Sequence, residues 1–242
     1  MSVLVETFAV TVVLSAVLML TGKFDFDKTI GRRRALSAAA GASVAYVFVN
    51  LLPELESAAM LFRQTTSIRL PYEGAHGVNL AMMIGYLCFY ALQEMLPAKS
   101  TEKQNDVTGL AFWPQLLGYG SYIFLIGYLL MHSLEEVETS LSLYALSMGL
   151  HFMLVGFGLR DLYQENYDRV GRYVLAGLCV AGWLTGLIIE LPKPFVVLLF
   201  GFISGGVLSV TSIVELPKGE EGKFVPFLIG ALVYAVFLII CR

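Results

Sequence analysis

The sequence predicts an all-α integral membrane protein with eight transmembrane helices in an inverted 3+2+3 plan and both termini outside. Apolar residues make up 57% of the 242 residues, and charged residues only 14%. A soluble domain typically carries about 25% charged residues to solvate its surface. Two further observations support the prediction: eight apolar runs near membrane length, and an internal repeat placed in helices of opposite direction.

Eight runs of apolar residues define the predicted helices. A hydrocarbon core of about 30 Å requires about 20 apolar residues for each helical crossing. The second run exceeds this length and contains Glu54 and Glu56, so we expect it to tilt or break near Pro53. The runs are Val3–Leu20, Ala35–Phe62, Val78–Leu96, Leu110–Met131, Leu141–Leu159, Tyr173–Ile189, Phe195–Val214 and Val225–Cys241.

The helices form a single predicted domain over residues 1–242, because the connections are short and none is rich in proline or serine. Repeat one covers 1–98, two unique helices cover 109–163, and repeat two covers 169–242. Helices 2 and 7 share small residues at every fourth position before Leu-Pro, a spacing that allows close helix packing in lipid. Their aligned residues, offset by 164, are Ser37, Gly41, Ala45 and Pro53 with Gly201, Gly205, Ser209 and Pro217.

Helices 3 and 8 repeat one another as well, at an offset of 145 residues. Met83–Leu87 reads MIGYL, and Leu228–Leu232 reads LIGAL. Helices 2 and 7 are five apart, so they cross the membrane in opposite directions and the repeat is inverted. Inverted repeats commonly place a substrate site near the middle of the bilayer.

The basic residues predict the orientation, because cytoplasmic loops are enriched in Lys and Arg. The loops after helices 1, 3, 5 and 7 hold twelve of them, and the opposite side holds Arg63, Arg69, Lys193 and Arg242. We therefore expect N-out and C-out topology in the cell membrane. The twelve are Lys23, Lys28, Arg32, Arg33, Arg34, Lys99, Lys103, Arg160, Arg169, Arg172, Lys218 and Lys223.

Five polar residues in the apolar runs are candidate metal ligands. Ionisable groups inside a membrane helix are costly and usually face the bundle interior. His132 and Glu136 are four apart at the end of helix 4, a spacing that allows an imidazole and a carboxylate to share a metal ion. The alternative is a hydrated outer turn. His151 lies ten residues into helix 5 and is equally explained as an inter-helix hydrogen bonder, whereas Asn50 and Glu54 flank Pro53.

At these residues the chain resembles the ZIP family of divalent metal transporters. That family's helix-4 motif, His-Ser/Asn-x-x-Glu/Asp-Gly, is matched by His132, Ser133 and Glu136, with Val137 in place of glycine. Of its helix-5 motif only His151 is matched. The Leu-Leu-Pro-Glu ending of helix 2 is also similar to the family's, as is Glu215-Leu216-Pro217 on helix 7.

The resemblance implies a non-enzymatic transporter of Zn, Mn or Fe ions, with His132, Glu136, His151, Asn50 and Glu54 as ligands. It implies no tightly bound cofactor, and its partners are the lipid bilayer and the divalent cation, with a homodimer as one assembly it allows. The net charge of −3 argues against a nucleic-acid partner.

Two alternatives remain open at the sequence level. The incomplete helix-5 motif also fits a ZIP-fold protein that has lost metal transport and binds, senses or moves another small solute. A third hypothesis is an intramembrane zinc hydrolase that uses His76, His132 and His151, since three histidines and an activated water suffice chemically.

The charge asymmetry generates a topological prediction. With Cys88, Cys179 and Cys241 removed, a K103C variant in intact cells should resist a membrane-impermeant thiol reagent and react only after permeabilisation. Labelling of K103C from outside would contradict both the orientation and the inverted repeat.

Overall fold

The computed structural model describes residues 2–21, 30–65, 75–94, 104–132, 141–212 and 224–240. Every regular element within these ranges is helical. The α-helices are α1 Ser2–Leu20, α2 Ile30–Tyr46, α3 Leu52–Thr65, α4 Ala75–Glu94, α5 Gln104–His132, α6 Leu141–Asn166, α7 Arg172–Ile188, α8 Lys193–Val210 and α9 Phe224–Ile240. Two π-helical turns, Val47–Leu51 and Tyr167–Gly171, join α2 to α3 and α6 to α7.

The described residues contain five helical segments long and apolar enough to cross a membrane, which indicates a multi-pass membrane protein. They form seven helical stretches, not the eight predicted. The difference arises because predicted helices 5 and 6 follow one another in the stretch Leu141–Ile188, where α6 and α7 are separated only by a kink at the non-helical Gln164 and a π-turn. The five segments are Val3–Leu20, Arg34–Phe62, Phe112–His132, Leu141–Ile188 and Lys193–Val210.

The Leu141–Ile188 stretch reverses direction at Gln164, whose φ of 37° and ψ of −105° are non-helical. Before the bend, Gly156 lies beside Thr21 of α1. After it, α7 follows α1 in the opposite sense, since Tyr167 bonds to Thr21 and Trp183 bonds to Thr7. A positive φ at a residue other than glycine is strained by about 1–3 kcal/mol, so surrounding contacts must hold this bend.

An ion pair spans the bend. Arg160 Nε donates to Asp168 Oδ1 at 3.0 Å, and Arg160 Nη2 donates to Asp168 Oδ2 at 3.2 Å. Two parallel donors in a planar guanidinium fix both distance and orientation of the carboxylate. The pair therefore links the end of α6 to the π-turn that begins α7.

The long second helix does not break at Pro53. A tilt or a break was expected there, and the break is wrong. The π-turn Val47–Leu51 comes just before it, and the Leu52 amide bonds to the Val47 carbonyl five residues back. Proline removes a backbone donor and clashes with the preceding turn. The wider π-turn lets the helix continue through α3 to Thr65, and it holds Asn50.

Glycines bring α2 against α9, and α4 against α8, at backbone distance. A Cβ added to Gly41 would lie under 3.0 Å from the Phe227 carbonyl and the Ala231 amide. A Cβ added to Gly205 would meet Met82 and Tyr86 in the same way. These helix pairs therefore pack only because small residues occupy the contacts.

These contacts show the same two offsets, 164 and 145 residues, as the sequence repeat. Adding 164 to Gly41 gives Gly205, and adding 145 to Met82 and Tyr86 gives Phe227 and Ala231. Likewise, Gly85 meets Phe202 and Gly230 meets Ala38. Gly85 and Gly230 are 145 positions apart, and Ala38 and Phe202 are 164 apart. The α2·α9 and α4·α8 pairs are thus equivalent, residue for residue.

The helix directions fit an inverted repeat. Ser43, early in α2, contacts Thr211 just after α8, with 3.4 Å between their hydroxyl oxygens. At the other end, Phe62 of α3 and Leu198 near the start of α8 both lie beside Gly77. The helix formed by α2 and α3 therefore runs opposite to α8.

The helices divide into two groups. The first bundle contains α1, α5, α6 and α7, and the second contains α2–α3, α4, α8 and α9. Inside the first bundle, Gly127 and Gly182 place the backbones of α5 and α7 in contact. Between the bundles, the glycine contacts are with side chains: Gly118 meets Leu92, and Gly206 meets Tyr122.

The close helix contacts predict opposite effects for the same substitution at different glycines. Gly41→Ala and Gly205→Ala should each lower the free energy of unfolding by about 1–3 kcal/mol, because the methyl group is forced against backbone. Gly177→Ala is the matched control, since its Cβ would meet no described residue within 4 Å. It should stabilise α7 by up to about 1 kcal/mol through helix propensity. Equal thermal stability of all three variants would contradict the packing.

Candidate functional site

A row of buried polar side chains runs between the two bundles, where α2–α3 faces α6. We call this row the polar seam. Its members on α2–α3 are spaced four residues apart, and so are its two members on α6. Each set therefore occupies one face of its helix. The seam comprises Tyr46, Asn50, Glu54, Tyr122, Ser147, His151 and Tyr234, all at most 9% exposed.

Asn50 and Glu54 form one end of the seam. The Asn50 side-chain amide donates a hydrogen bond to Glu54 Oε1, one helical turn further on. Asn50 is 3% exposed and Glu54 9%, so the carboxylate is removed from bulk water. A buried charge needs hydrogen bonds in place of its lost hydration. Tyr46 and Tyr144 lie within electrostatic range of the same carboxylate.

His151 and Tyr122 form the middle of the seam. The Tyr122 hydroxyl and His151 Nε2 are 2.8 Å apart, and the tautomer of the imidazole decides which atom donates. Both side chains are at most 1% exposed. The Tyr122 ring also packs edge-on against Phe89 of α4, with centroids 4.9 Å apart. Tyr122 therefore ties His151 of α6 to α5 and contacts the second bundle.

Ser147 and Tyr234 cross the boundary between the bundles. Their hydroxyl oxygens are 2.6 Å apart, and Ser147 donates its own proton to the Leu143 carbonyl at 2.8 Å. The Tyr234 hydroxyl is therefore the donor to Ser147. This bond links α6 of the first bundle directly to α9 of the second.

His132 lies away from the seam, at the end of α5. Its ring stacks at a tilt beside Tyr128, with centroids 4.6 Å apart. Tyr122, which holds His151, is ten positions earlier on the same helix, or about 15 Å at 1.5 Å per residue. The structure therefore does not bring His132 and His151 to one ion, and Glu136 lies outside the described residues.

His76 is also remote from the seam. It lies exposed at the start of α4, thirteen positions before Phe89, the α4 residue that contacts Tyr122. That separation is about 20 Å along the helix. Since α4 and α5 run in opposite directions, with Leu92 beside Gly118 and Phe89 beside Tyr122, His76 and His132 both lie toward the same end of the bundle. His151 is at a different level, so the three histidines of the hydrolase hypothesis do not meet at one ion.

Asn50, Glu54 and His151 were predicted from the sequence, but their tyrosine and serine neighbours were not. The spacing contained a signal, because Tyr46 precedes Asn50 by four positions and Ser147 precedes His151 by four. Tyr122 and Tyr234 could not be found in this way, since only the packing of α5 and α9 brings them to the seam.

The seam offers one carboxylate, one imidazole, an amide and several hydroxyls. Such a set can hold a small cation loosely or hydrogen-bond a polar solute. Within the described part of the chain, no group of three or more His, Cys, Asp or Glu side chains is placed to bind a metal ion.

No protein-family model matches the chain, and no curated protein matches it. The resemblance to the ZIP family therefore depends on the motifs quoted above and stays a prediction.

The Tyr122–His151 bond predicts a difference between two tyrosine substitutions. Tyr122→Phe should lower the free energy of unfolding by about 1 kcal/mol, because it removes a buried hydrogen bond. Tyr163→Phe should leave stability unchanged or raise it, since the Tyr163 hydroxyl is buried and no described residue is its hydrogen-bond partner. Thermal unfolding of the purified protein tests both. A Tyr122→Phe variant as stable as Tyr163→Phe would show that the bond contributes nothing.

Proposed function

We propose that this protein is a ZIP-like membrane transporter that carries a divalent cation of the Zn, Mn or Fe class by moving one bundle against the other. The observation that carries the proposal is the polar seam, because buried ionisable groups between two helix bundles commonly mark a substrate path. In this proposal the chain crosses the cell membrane eight times, in a 3+2+3 plan with N-out and C-out topology.

The packing of the two bundles supports a moving mechanism. Backbone contacts at glycines join α2 to α9, α4 to α8, and α5 to α7, so each bundle contains tightly fixed helix pairs. The boundary between the bundles instead uses side chains, including the Ser147–Tyr234 hydrogen bond. Side-chain contacts can break and form again without distorting a helix, whereas backbone contacts at glycine cannot slide past a bulky neighbour.

The cation would use the seam as its route. Glu54 supplies the negative charge, and Asn50 already donates to it, so a cation would compete with that amide for the carboxylate. His151 supplies an imidazole nitrogen once it exchanges its bond with Tyr122. His132 and Glu136, at the end of α5 and beyond it, would contact the cation at a separate stage, because His132 is about 15 Å from the level of His151.

A second candidate is a transporter of the same plan for a small polar solute. The Tyr46 hydroxyl favours it: Tyr46 is 3% exposed, and its hydroxyl has no hydrogen-bond partner in the described part of the chain. A solute that donates or accepts hydrogen bonds would satisfy this hydroxyl, whereas a cation held at Glu54 leaves it unused.

Uptake of Zn²⁺, Mn²⁺ and Fe²⁺ into proteoliposomes tests the proposal. Glu54→Gln and His151→Ala should each reduce uptake at least tenfold, about 1.4 kcal/mol in ion binding, and Glu136→Gln should do the same if the outer stage is used. Glu190→Gln is the control, because Glu190 is exposed between α7 and α8, and it should keep wild-type uptake. Wild-type protein that transports none of the three ions would refute the divalent-cation proposal and leave the polar-solute candidate.

A further inference from the structure

Hydrogen bonds join the two bundles on both sides of the level of His151. Tyr234 of α9 donates to Ser147 of α6, with 2.6 Å between the hydroxyl oxygens. Gln115 Nε2 of α5 donates to the Leu92 carbonyl of α4 at 2.9 Å. We call the first of these the serine bond and the second the glutamine bond. The three side chains that form them are buried.

The helices α5 and α6 run in opposite directions. Gly120 of α5 lies beside Leu178 of α7, and Met131 of α5 lies beside Gly186 of α7, so α5 and α7 run the same way. The chain reverses at Gln164, between α6 and α7. It follows that α6 runs against α5.

This geometry places the two bonds toward opposite faces of the membrane. Ser147 precedes His151 by four residues on α6, which is about 6 Å along the helix. Gln115 precedes Tyr122 by seven residues on α5, or about 10 Å. Because Tyr122 and His151 are bonded and their helices are antiparallel, the two displacements from that pair point in opposite directions.

Each bond would have to break before the seam could open on its own side. Separation of the bundles near the start of α6 takes Tyr234 away from Ser147, and separation near the start of α5 takes Gln115 away from Leu92. A polar group that loses its partner in a dry boundary is costly, whereas water that enters an opening can replace the partner. Breakage of each bond and entry of water on that side are therefore coupled.

We propose that the serine bond and the glutamine bond are the two gates of the seam, and that Tyr234 and Gln115 are the positioning residues that hold them closed. The structure contains both bonds at once, so in this proposal it is the state closed on both sides. Loss of either bond shifts the population toward the state open on that side. The inference rests on the proposed movement of the bundles but not on the identity of the solute.

Ser43 offers a reporter position between the gates. Ala40 of α2 packs in one cluster with Leu154 of α6, and Tyr46 of α2 lies within electrostatic range of Tyr144 of α6. Ser43 lies midway between the two α2 residues, at the level of the seam histidine, and three residues before Tyr46 on the same helix face. A cysteine at this position changes the side-chain volume little.

Labelling of a Ser43→Cys parent with a membrane-impermeant thiol reagent tests the gates, with the three native cysteines removed. In the N-out topology the serine bond faces outward. Tyr234→Phe should then raise the labelling rate in intact cells at least about threefold, as expected for one lost hydrogen bond, without raising it in inside-out vesicles. Gln115→Leu should do the reverse. An inverted orientation exchanges the two sides and keeps the responses opposite.

Tyr167→Phe is the matched control for loss of a tyrosine hydroxyl. The hydroxyl oxygens of Tyr167 and Thr21 are 2.8 Å apart, and both residues belong to the first bundle, so this variant should be labelled at the parental rate on both sides. Should Tyr234→Phe fail to fold, Ser147→Ala removes the acceptor of the same bond and takes its place. Gln115→Met likewise replaces Gln115→Leu.

The proposal is overturned if either gate variant leaves labelling on its own side unchanged. It is also overturned if one variant raises labelling on both sides, or if Tyr167→Phe raises it, since either result shows a general loosening of the fold. Uptake of Zn²⁺, Mn²⁺ and Fe²⁺ by the same variants separates this inference from the proposed function. Opposite labelling shifts without uptake support the gates and refute the cation, whereas uptake with unchanged labelling supports the cation and refutes the gates.

Discussion

Backbone contact at glycine is the constraint on which the architecture depends. Between lipid-embedded helices there is little hydrophobic driving force, so association relies on close packing and hydrogen bonds. Gly41 and Gly205 provide that packing at two equivalent places, and in both the partner is the carbonyl and amide backbone of a neighbouring helix. No other side chain allows this approach. The pairing of α2 with α9, and of α4 with α8, follows from it and fixes the second bundle.

The polar seam lies at the boundary between the two bundles, which, among the described residues, lacks the glycine backbone contacts that hold the helix pairs within each bundle. Along that boundary the groups that meet are side chains, and many are hydrogen-bonding. The pairs Asn50–Glu54, Tyr122–His151 and Ser147–Tyr234 are each satisfied by a bond at the boundary or beside it. Breaking such a bond costs little net free energy when both groups find other hydrogen-bond partners, whereas a buried group left unpaired costs about 1–3 kcal/mol. A boundary of this type suits a protein whose bundles must move while each bundle keeps its internal packing.

The bend at Gln164 and the π-turn before Pro53 show how local irregularities serve that arrangement. The first reverses the chain without a loop, and the Arg160–Asp168 ion pair spans it. The second lets a long helix pass a proline and carries Asn50 into the seam. π-helical turns are rare and frequently occur at functional sites. Both irregularities adjust the geometry of helices whose polar residues face the boundary.

The helical membrane class, the approximate limits of the helices and the glycine repeat could all be predicted from the sequence alone. Hydrophobic length and residue spacing are local properties, so a linear pattern records them. It also identified Asn50, Glu54 and His151, because polar residues in apolar runs are conspicuous. The tertiary structure was needed to show that the chain reverses between α6 and α7 with only a kink at Gln164 and a π-turn. It also showed that His151 meets Tyr122 whereas His132 lies about 15 Å further along α5. The first outcome depends on the φ and ψ angles of Gln164, and the second depends on the relative depth of α5 and α6. Side-chain packing across the whole bundle sets both.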